Sequence, residues 1–298
     1  MDLKQLGYFV RVAEAGGFTR AARELGIAQP ALSRQIRMLE VELGHSLLAR
    51  NGRGATPTEA GKLLLEHSRG ILHQVERARE DLGRIRGTPS GRVAIGLPPT
   101  LAKVIAVPLT RAIRKQMPEA EISLSEGLSM SLQEWLRLGR LDIALLYNVA
   151  TAPDLETDLL REEELFLITK DDRNGAAVQT IRLKQIAAIP LVIPNRPNTM
   201  RVLLESELAQ LGLRPRIALE VEGVATILDL VAEGAGAAVL PRHALSAPAQ
   251  RGRLRMQRIV APALRNKTFL ATSARRTQTL TQRRTIELIR ATVAKIPR

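Results

Sequence analysis

Cysteine is absent from this 298-residue chain, aromatic residues make up only 2% of it, and no apolar run approaches the length of a membrane span. Without thiols there is no disulfide framework, no thiol nucleophile and no thiolate zinc site, a composition suited to a reducing compartment. Without about 18 consecutive apolar residues there is no transmembrane helix. The opening Met1-Asp2-Leu3-Lys4 lacks the basic and apolar regions of a signal peptide, so a cytoplasmic location is expected. Scarce aromatics leave core packing to Leu, Ile, Val and Ala. Catalytic signals are missing too. His45, His67, His73 and His243 stand at no metal-ligand spacing, and no glycine-flanked nucleophile elbow surrounds a serine. Gly234-Ala235-Gly236-Ala237-Ala238-Val239 leads from a helix into a strand, the reverse of a phosphate-cradling turn. No enzyme activity, metal or cofactor is expected.

What is present is positive charge. The formal balance is +14, which favours an anionic partner such as nucleic acid. Its distribution weakens that inference. Residues 1–58 carry eight Lys/Arg against five Asp/Glu, whereas residues 251–298 carry thirteen against one. The C-terminal excess reads as a solvated basic face.

The first 58 residues have a compact helical rhythm. Leu3, Leu6, Val10 and Ala13 form a helical stripe that Gly16-Gly17 ends. Thr19 is placed to cap a short helix running to about Leu25, and Gly26 supplies a tight turn. A third helix begins near Gln29 with Pro30 in its first turn, buries Leu32, Ile36, Leu39 and Leu43, and stops at Gly44. Helix, short helix, tight turn and longer helix make a helix-turn-helix. The basic, turn-forming Arg50-Asn51-Gly52-Arg53-Gly54 suggests a wing, and Thr56-Pro57-Thr58-Glu59 reads as a capping box with proline in the first turn of a new helix.

In that new helix, Leu64, Ser68, Ile71, Val75, Ala78, Leu82 and Ile85 recur at alternating intervals of four and three, a heptad seam. A partner helix, or failing that the chain's own core, has to cover it. Gly87-Thr88-Pro89-Ser90-Gly91 reads as a hinge, after which strand and helix signals alternate as in an α/β domain. Strands are predicted at 93–97, 121–125, 141–147, 165–169, 191–193, 217–221, 237–240 and 268–272. Helices are predicted at 101–117, 131–139, 199–211, 224–233 and 281–295.

The run from Phe18 to Ile36, with Leu39-Glu40, Leu43-Gly44, Leu48, Arg50 and Thr56-Pro57-Thr58-Glu59-Ala60-Gly61, resembles the DNA-binding signature of LysR-type transcriptional regulators. Residues 92–100 and 224–241 look most like the nitrogen assimilation control branch. A later pattern, from Ser129 through Leu132, Leu136, Gly139, Leu141 and Asp142 to Leu145, is similar to the family's sensing domain. The resemblance implies a multidomain α+β protein. A winged helix-turn-helix would cover 1–58, a linker and dimerisation helix 59–90, and a periplasmic-binding-protein-like domain 91–298. Lobe one would comprise 91–161 plus 268–298, and lobe two 162–267. It also implies double-stranded DNA, a small-molecule effector, RNA polymerase and a second copy of the chain as partners, with dimers often pairing into tetramers. Ala28 departs from the family pattern, where Ser or Thr usually caps the third helix.

With the apolar stripe of the third helix inward, Gln29, Pro30, Ser33, Arg34 and Arg37 face outward. Gln29 suits adenine and Arg34 guanine, while Ser33 and Thr19 suit phosphate. Arg50 and Arg53 suit phosphate or a narrow minor groove, although Arg50 equally suits a structural ion pair. In the sensing domain Thr100, Ser129 and Thr199 fall where helices begin. Such positions serve either as ordinary caps or as anion sites, and the resemblance favours an effector role for Thr100 and Ser129. Asn195, Arg196 and Val224 are candidates for the opposite wall. Ser131 and Glu134 read as a structural capping box.

Overall fold

A computed structural model describes residues 1–51, 54–83, 91–150, 152–171, 179–245 and 252–296. Contacts divide the chain into two compact units, Met1–Thr88 with Arg137–Leu141, and Pro89–Leu136 with Asp142–Arg298.

The first unit opens with α1 (Leu3–Ala15), α2 (Phe18–Leu25) and α3 (Gln29–Leu43). Phe9, Val12, Ala21, Ala22, Leu32, Ile36 and Leu39 form its core, with Leu43 packed at the margin. Leu3, expected in the stripe of α1, is exposed, and Phe9 takes the central place. The turn between α2 and α3 depends on Gly26 at φ +66°, where its N–H reaches the Arg23 carbonyl and Ile27 reaches that of Ala22. The wing is a short antiparallel hairpin, β1 (Leu48–Asn51) with β2 (Gly54–Pro57). The Glu40 carboxylate ties α3 to its start by accepting from the N–H groups of Leu47 (2.8 Å) and Leu48 (3.2 Å).

Next comes α4 (Glu59–Gly83). Its cap is Thr58, whose hydroxyl accepts from the Gly61 N–H at 3.0 Å. The expected capping box is therefore displaced: Thr56 and Pro57 belong to β2, because their backbone pairs with Ala49 and Leu48. Thr19 is likewise not a cap. It is the second residue of α2, which starts at Phe18 behind Gly17.

In the second unit β3 (Gly91–Leu97), α5 (Pro99–Gln116), β4 (Ala120–Glu126), α6 (Ser129–Arg137), β5 (Ile143–Tyr147) and the long β6 (Leu155–Lys170) follow in order. Then come β7 (Thr180–Arg182), α7 (Leu183–Ile186), β8 (Leu191–Ile193), α8 (Thr199–Gln210), β9 (Ile217–Glu220), α9 (Val224–Glu233) and β10 (Ala238–Pro241). A 3-10 turn at Arg242–Leu245, β11 (Leu254–Val260), β12 (Arg265–Ser273) and α10 (Leu280–Ala294) complete it. The large sheet runs β4-β3-β5-β12-β6-β11-β7, with β10 also on β6, and β8 pairs β9 in a separate parallel pair.

The eight predicted strands of this unit are present within a few residues, except that 165–169 is only the end of β6. The N-terminal part of β6 pairs with β12, from Leu155↔Ser273 to Glu164↔Arg265, and the C-terminal part pairs with β10 and β11. A strand this long joins the two lobes, so no break falls at the expected boundary of 161/162. β7, α7 and β11 were not foreseen. The helix predicted at 131–139 begins two residues earlier, which places Ser131 inside α6 and removes the proposed Ser131–Glu134 box.

Arg258, Arg265 and Arg290 of the basic C-terminal segment stay largely exposed while pairing with acids. Arg258 holds Glu164 with two hydrogen bonds of 2.6 Å, Arg265 holds Glu162 at 2.8 Å, and Arg290 pairs with Asp158. All three acids lie on β6. Asp142 of the sensing-domain signature is a buried tie: its carboxylate and its own N–H both bond Ala94 at 2.8 Å, and its carbonyl accepts from Gln282 at 3.0 Å. Among the described residues, no helix is long and apolar enough to cross a membrane.

Candidate DNA-reading face and ligand cleft

The α3 register that buries Leu32, Ile36 and Leu39 turns Gln29, Pro30, Arg34 and Arg37 to solvent and leaves Ser33 half-buried. Thr19 is exposed on α2. Ala28 gives α3 no side-chain cap, and Pro30 has no N–H, so the start of the helix is polar and open. Neither Arg34 nor Arg37 has an acidic partner among the described residues. Arg20 on α2, which was not singled out from sequence, is also exposed and lies 3.4 Å from Glu24. Arg50 lies in β1 opposite Ala55, and its side chain is outside the description; Arg53 lies outside the described residues.

Along α4 the seam divides. Leu64 packs against the helix-turn-helix core and Ser68 is fully buried. Further on, Ile71 is 39% exposed, Val75 half-buried and Ala78 exposed. The side chain of Leu82 is not described, and Ile85 lies outside the described residues. The first part of the seam is thus spent within the chain, whereas Ile71 and Ala78 are exposed and Val75 is half-buried.

In the second unit four helices start at one cleft. Thr100 of α5, Ser129 of α6, Thr199 of α8 and Val224 of α9 all line it. Helix N-termini carry partial positive charge and unpaired N–H groups, so their convergence favours an electron-rich ligand. The strand ends β3 and β5 meet them there, and Tyr147, the last residue of β5, organises the floor. Its hydroxyl is 2.9 Å from Thr100 Oγ1, and its N–H donates to Ser129 Oγ at 2.9 Å. Burial, reinforced by the charge of Glu163, pushes the Tyr147 phenol far above its usual pKa and keeps it neutral. Each hydroxyl therefore already has an internal partner. Ser129 keeps its own hydrogen to donate, and the Thr100–Tyr147 pair keeps one between them.

The other wall differs from expectation. Asn195 and Arg196 do not line the cleft: Asn195 reaches Glu222 at 3.4 Å, and the exposed Arg196 reaches Glu205 at 2.6 Å. Asn198, Arg201 and Glu222 line it instead. Asn198 caps α8 by accepting from the N–H groups of Met200 and Arg201. Arg201 is only 7% exposed and donates to Glu205 (2.9 Å), Glu220 (3.0 Å) and the Pro194 carbonyl (3.0 Å). Burial opposes its charge, and the two carboxylates more than offset that, so its pKa stands above the usual value. The sequence signals for these residues were local ones: the four-residue spacing of Arg201 and Glu205 on a helix, and the position of Tyr147 at a strand's carboxyl end, where α/β sheets hold ligands. Only about 50 Å³ of the cleft is open to the centre of a water molecule. At about 10–15 Å³ per water this is room for a few waters.

Two family models match the chain: "Bacterial regulatory helix-turn-helix protein, lysR family" over residues 3–62, and "LysR substrate binding domain" over residues 86–294. The chain is 36% identical to the nitrogen assimilation regulatory protein nac of Klebsiella aerogenes over 276 residues, 92% of this chain and 90% of that protein. It is also 36% identical to nac of Escherichia coli K12, over 89% of this chain and 86% of that one. Among solved structures it is similar to CbnR, a LysR family transcriptional regulator, with TM-score 0.74 and 26% identity over 98% of this chain and 99% of CbnR. It is similar as well to full-length CbnR complexed with its target DNA, with TM-score 0.72 and 26% identity over 98% and 100% of the two chains.

Proposed function

Because this chain belongs to the LysR family of transcriptional regulators, we propose that α3 reads its operator, α4 joins two copies, and a small acid held in the cleft adjusts the assembly. It is a regulator rather than an enzyme, working in the cytoplasm through DNA and RNA polymerase. One observation carries the DNA assignment: the outward residues of α3, Gln29, Arg34 and Arg37, are exposed, and the two arginines have no acidic partner among the described residues. Arg34 near the helix start is placed to bond guanine, Gln29 to bond adenine, and Arg37 with Thr19, Ser33 and the wing's Arg50 and Arg53 to hold phosphate. The exposed Ile71 and Ala78 and the half-buried Val75 support a dimer through α4, and dimers of this family often pair further into tetramers.

For the cleft, the convergence of four helix N-termini and the spare hydroxyl hydrogens at Thr100, Ser129 and Tyr147 support an anionic head group. Apolar residues such as Ile193, Leu204 and Ile227 would take its body. A ligand moves the regulator only by binding one arrangement more tightly than another. A second reading, regulation without an effector, is favoured by the small free space and by an Arg201 already bonded three times. Footprinting with a panel of small carboxylates separates the two. On the first reading an acid changes the footprint and Thr100→Val with Ser129→Ala removes the change while basal binding survives. A panel that never binds in calorimetry supports the second.

A further inference from the structure

The helix α6 is held at both ends. Its first residue, Ser129, lines the cleft and accepts from the Tyr147 N–H at 2.9 Å. Its middle leans on the same cleft. An added Cβ on Gly127, another lining residue, would stand 3.2 Å from Leu132 Cδ2 and 3.2 Å from the ring of Trp135, the chain's single tryptophan. Leu132 and Leu136 are fully buried, so α6 is packed along its inner side. Nine residues make it about 13.5 Å long.

The far end runs into Leu138, Gly139 and Arg140, within the segment that groups with the first unit. α4 meets these three residues through positions 66, 70 and 74, one stripe at four-residue spacing. The Leu138 carbonyl oxygen lies so close to Gly70 that an added Cβ would be 2.1 Å from it. The Gly139 carbonyl accepts from Gln74 Nε2 at 3.3 Å, and Arg140, its side chain 14% exposed, pairs with Glu66. Backbone seated directly on a helix has little slack, because close-packed interiors transmit displacement. Ile71 and Val75 each follow a position of this clasp by one residue, so a shift in the stripe is a shift in the seam proposed to join two copies.

We propose that α6 is a relay between the cleft and α4. Resting on the reading of the cleft as the ligand site, it carries displacement from Gly127 and Ser129 to the clasp at Glu66, Gly70 and Gln74. Coupling of this kind acts in both directions, so a change in α4 is felt at the cleft as well.

The test pushes each end of α6 in the full-length protein with no acid or DNA present, which keeps its outcome separate from whether any ligand binds. Gly127→Val drives a side chain against Trp135 and Leu132, and hydrogen-exchange mass spectrometry reads α4. The expected result is exchange about threefold or more faster in residues 66–74, with α1 unchanged. Arg140→Gln with Gln74→Leu opens the clasp, and in that background Gly127→Val should add nothing to exchange in α4. Gly70→Ala pushes from the other end and should shift the emission of Trp135, which Gly7→Ala should leave alone. Where Gly127→Val fails a folding check by circular dichroism, Gly127→Ala gives a milder push; where Gly70→Ala fails it, the exchange measurement decides. Unchanged exchange in α4 overturns the relay, and so does an effect of the Gly127 substitution that is as large with the clasp open. An unmoved Trp135 in folded Gly70→Ala overturns it as well. Calorimetry that finds no acid in the cleft bears on the ligand reading alone.

Discussion

Replacing Gly61 with alanine should loosen the DNA-binding head, although alanine is the better helix former. Gly61 sits in the first turn of α4, where an added Cβ would lie 2.0 Å from the Leu47 carbonyl oxygen and 3.3 Å from Pro57 Cβ. Ordinary contact begins at 3.4 Å, so the carbonyl must retreat by about 1.4 Å. It cannot do so freely. It accepts from the Thr58 N–H at 3.0 Å, and the Leu47 N–H is held by Glu40. Losing one backbone hydrogen bond costs about 0.5–1.5 kcal/mol, and overpacking about 1–3 kcal/mol. Against these stands a helix-propensity gain of about 1 kcal/mol, leaving a net loss of about 0.5–3.5 kcal/mol. For a unit of this size each kcal/mol lowers Tm by about 4–8 °C. Gly7→Ala is the control: nothing lies within 4 Å of its added Cβ, so it should stabilise by up to about 1 kcal/mol. Thermal melts of both variants, with operator affinity by fluorescence anisotropy, decide the matter. A Gly61→Ala protein as stable as Gly7→Ala would refute this seating of the wing on α4.

Ile71→Glu with Val75→Glu should yield monomers in analytical ultracentrifugation and abolish operator binding; a wild-type chain that sediments as a monomer at micromolar concentration contradicts the α4 interface. Hydrogen bonds from Arg258 hold the Glu164 carboxyl below its ordinary value of 4.5. A carboxyl depressed in the folded state adds stability above its unfolded value and loses it as pH falls through the folded one. Arg258→Gln should therefore lower the urea midpoint slightly at neutral pH and match wild type in strong acid, whereas a constant offset across the range would exclude this linkage. The pair is exposed, so the difference should also shrink in high salt.

Much of the first unit was legible in sequence because its signals are local. Gly26, Pro30 and Gly44 punctuate α2 and α3 where the structure does, and Leu32, Ile36 and Leu39 are the residues that α3 buries. Long-range pairing was not legible. The first half of β6, Leu-Glu-Thr-Asp-Leu-Leu-Arg-Glu-Glu-Glu, has no apolar run, and it is a strand because β12, about a hundred residues later, sets basic residues against its acids. Helix starts slipped for a similar reason. Thr56 and Pro57 have the chemistry of a cap, but β1 claims their backbone for the wing. In the cleft, Thr100, Ser129 and Thr199 were singled out by their positions at helix starts and Val224 as a candidate for the opposite wall, and all four line it. Tyr147 and Arg201 were missed because their partners lie on other elements. Asn195 and Arg196 were placed one turn too early, just before the cap at Asn198.

Operator selection with Arg34→Ala tests the central claim most directly. Wild-type protein and the variant would each be presented with a randomised DNA pool, and affinities measured for the winning site and its single-base variants at fixed salt. The outward face of α3 predicts that wild type selects a two-fold related site. It further predicts that Arg34→Ala weakens binding by about 1–3 kcal/mol and relaxes the preference at one base position in each half-site. Equal weakening across every variant would make Arg34 a phosphate contact. A wild-type protein that enriches no sequence at all would contradict the reading of α3 as the element that recognises DNA.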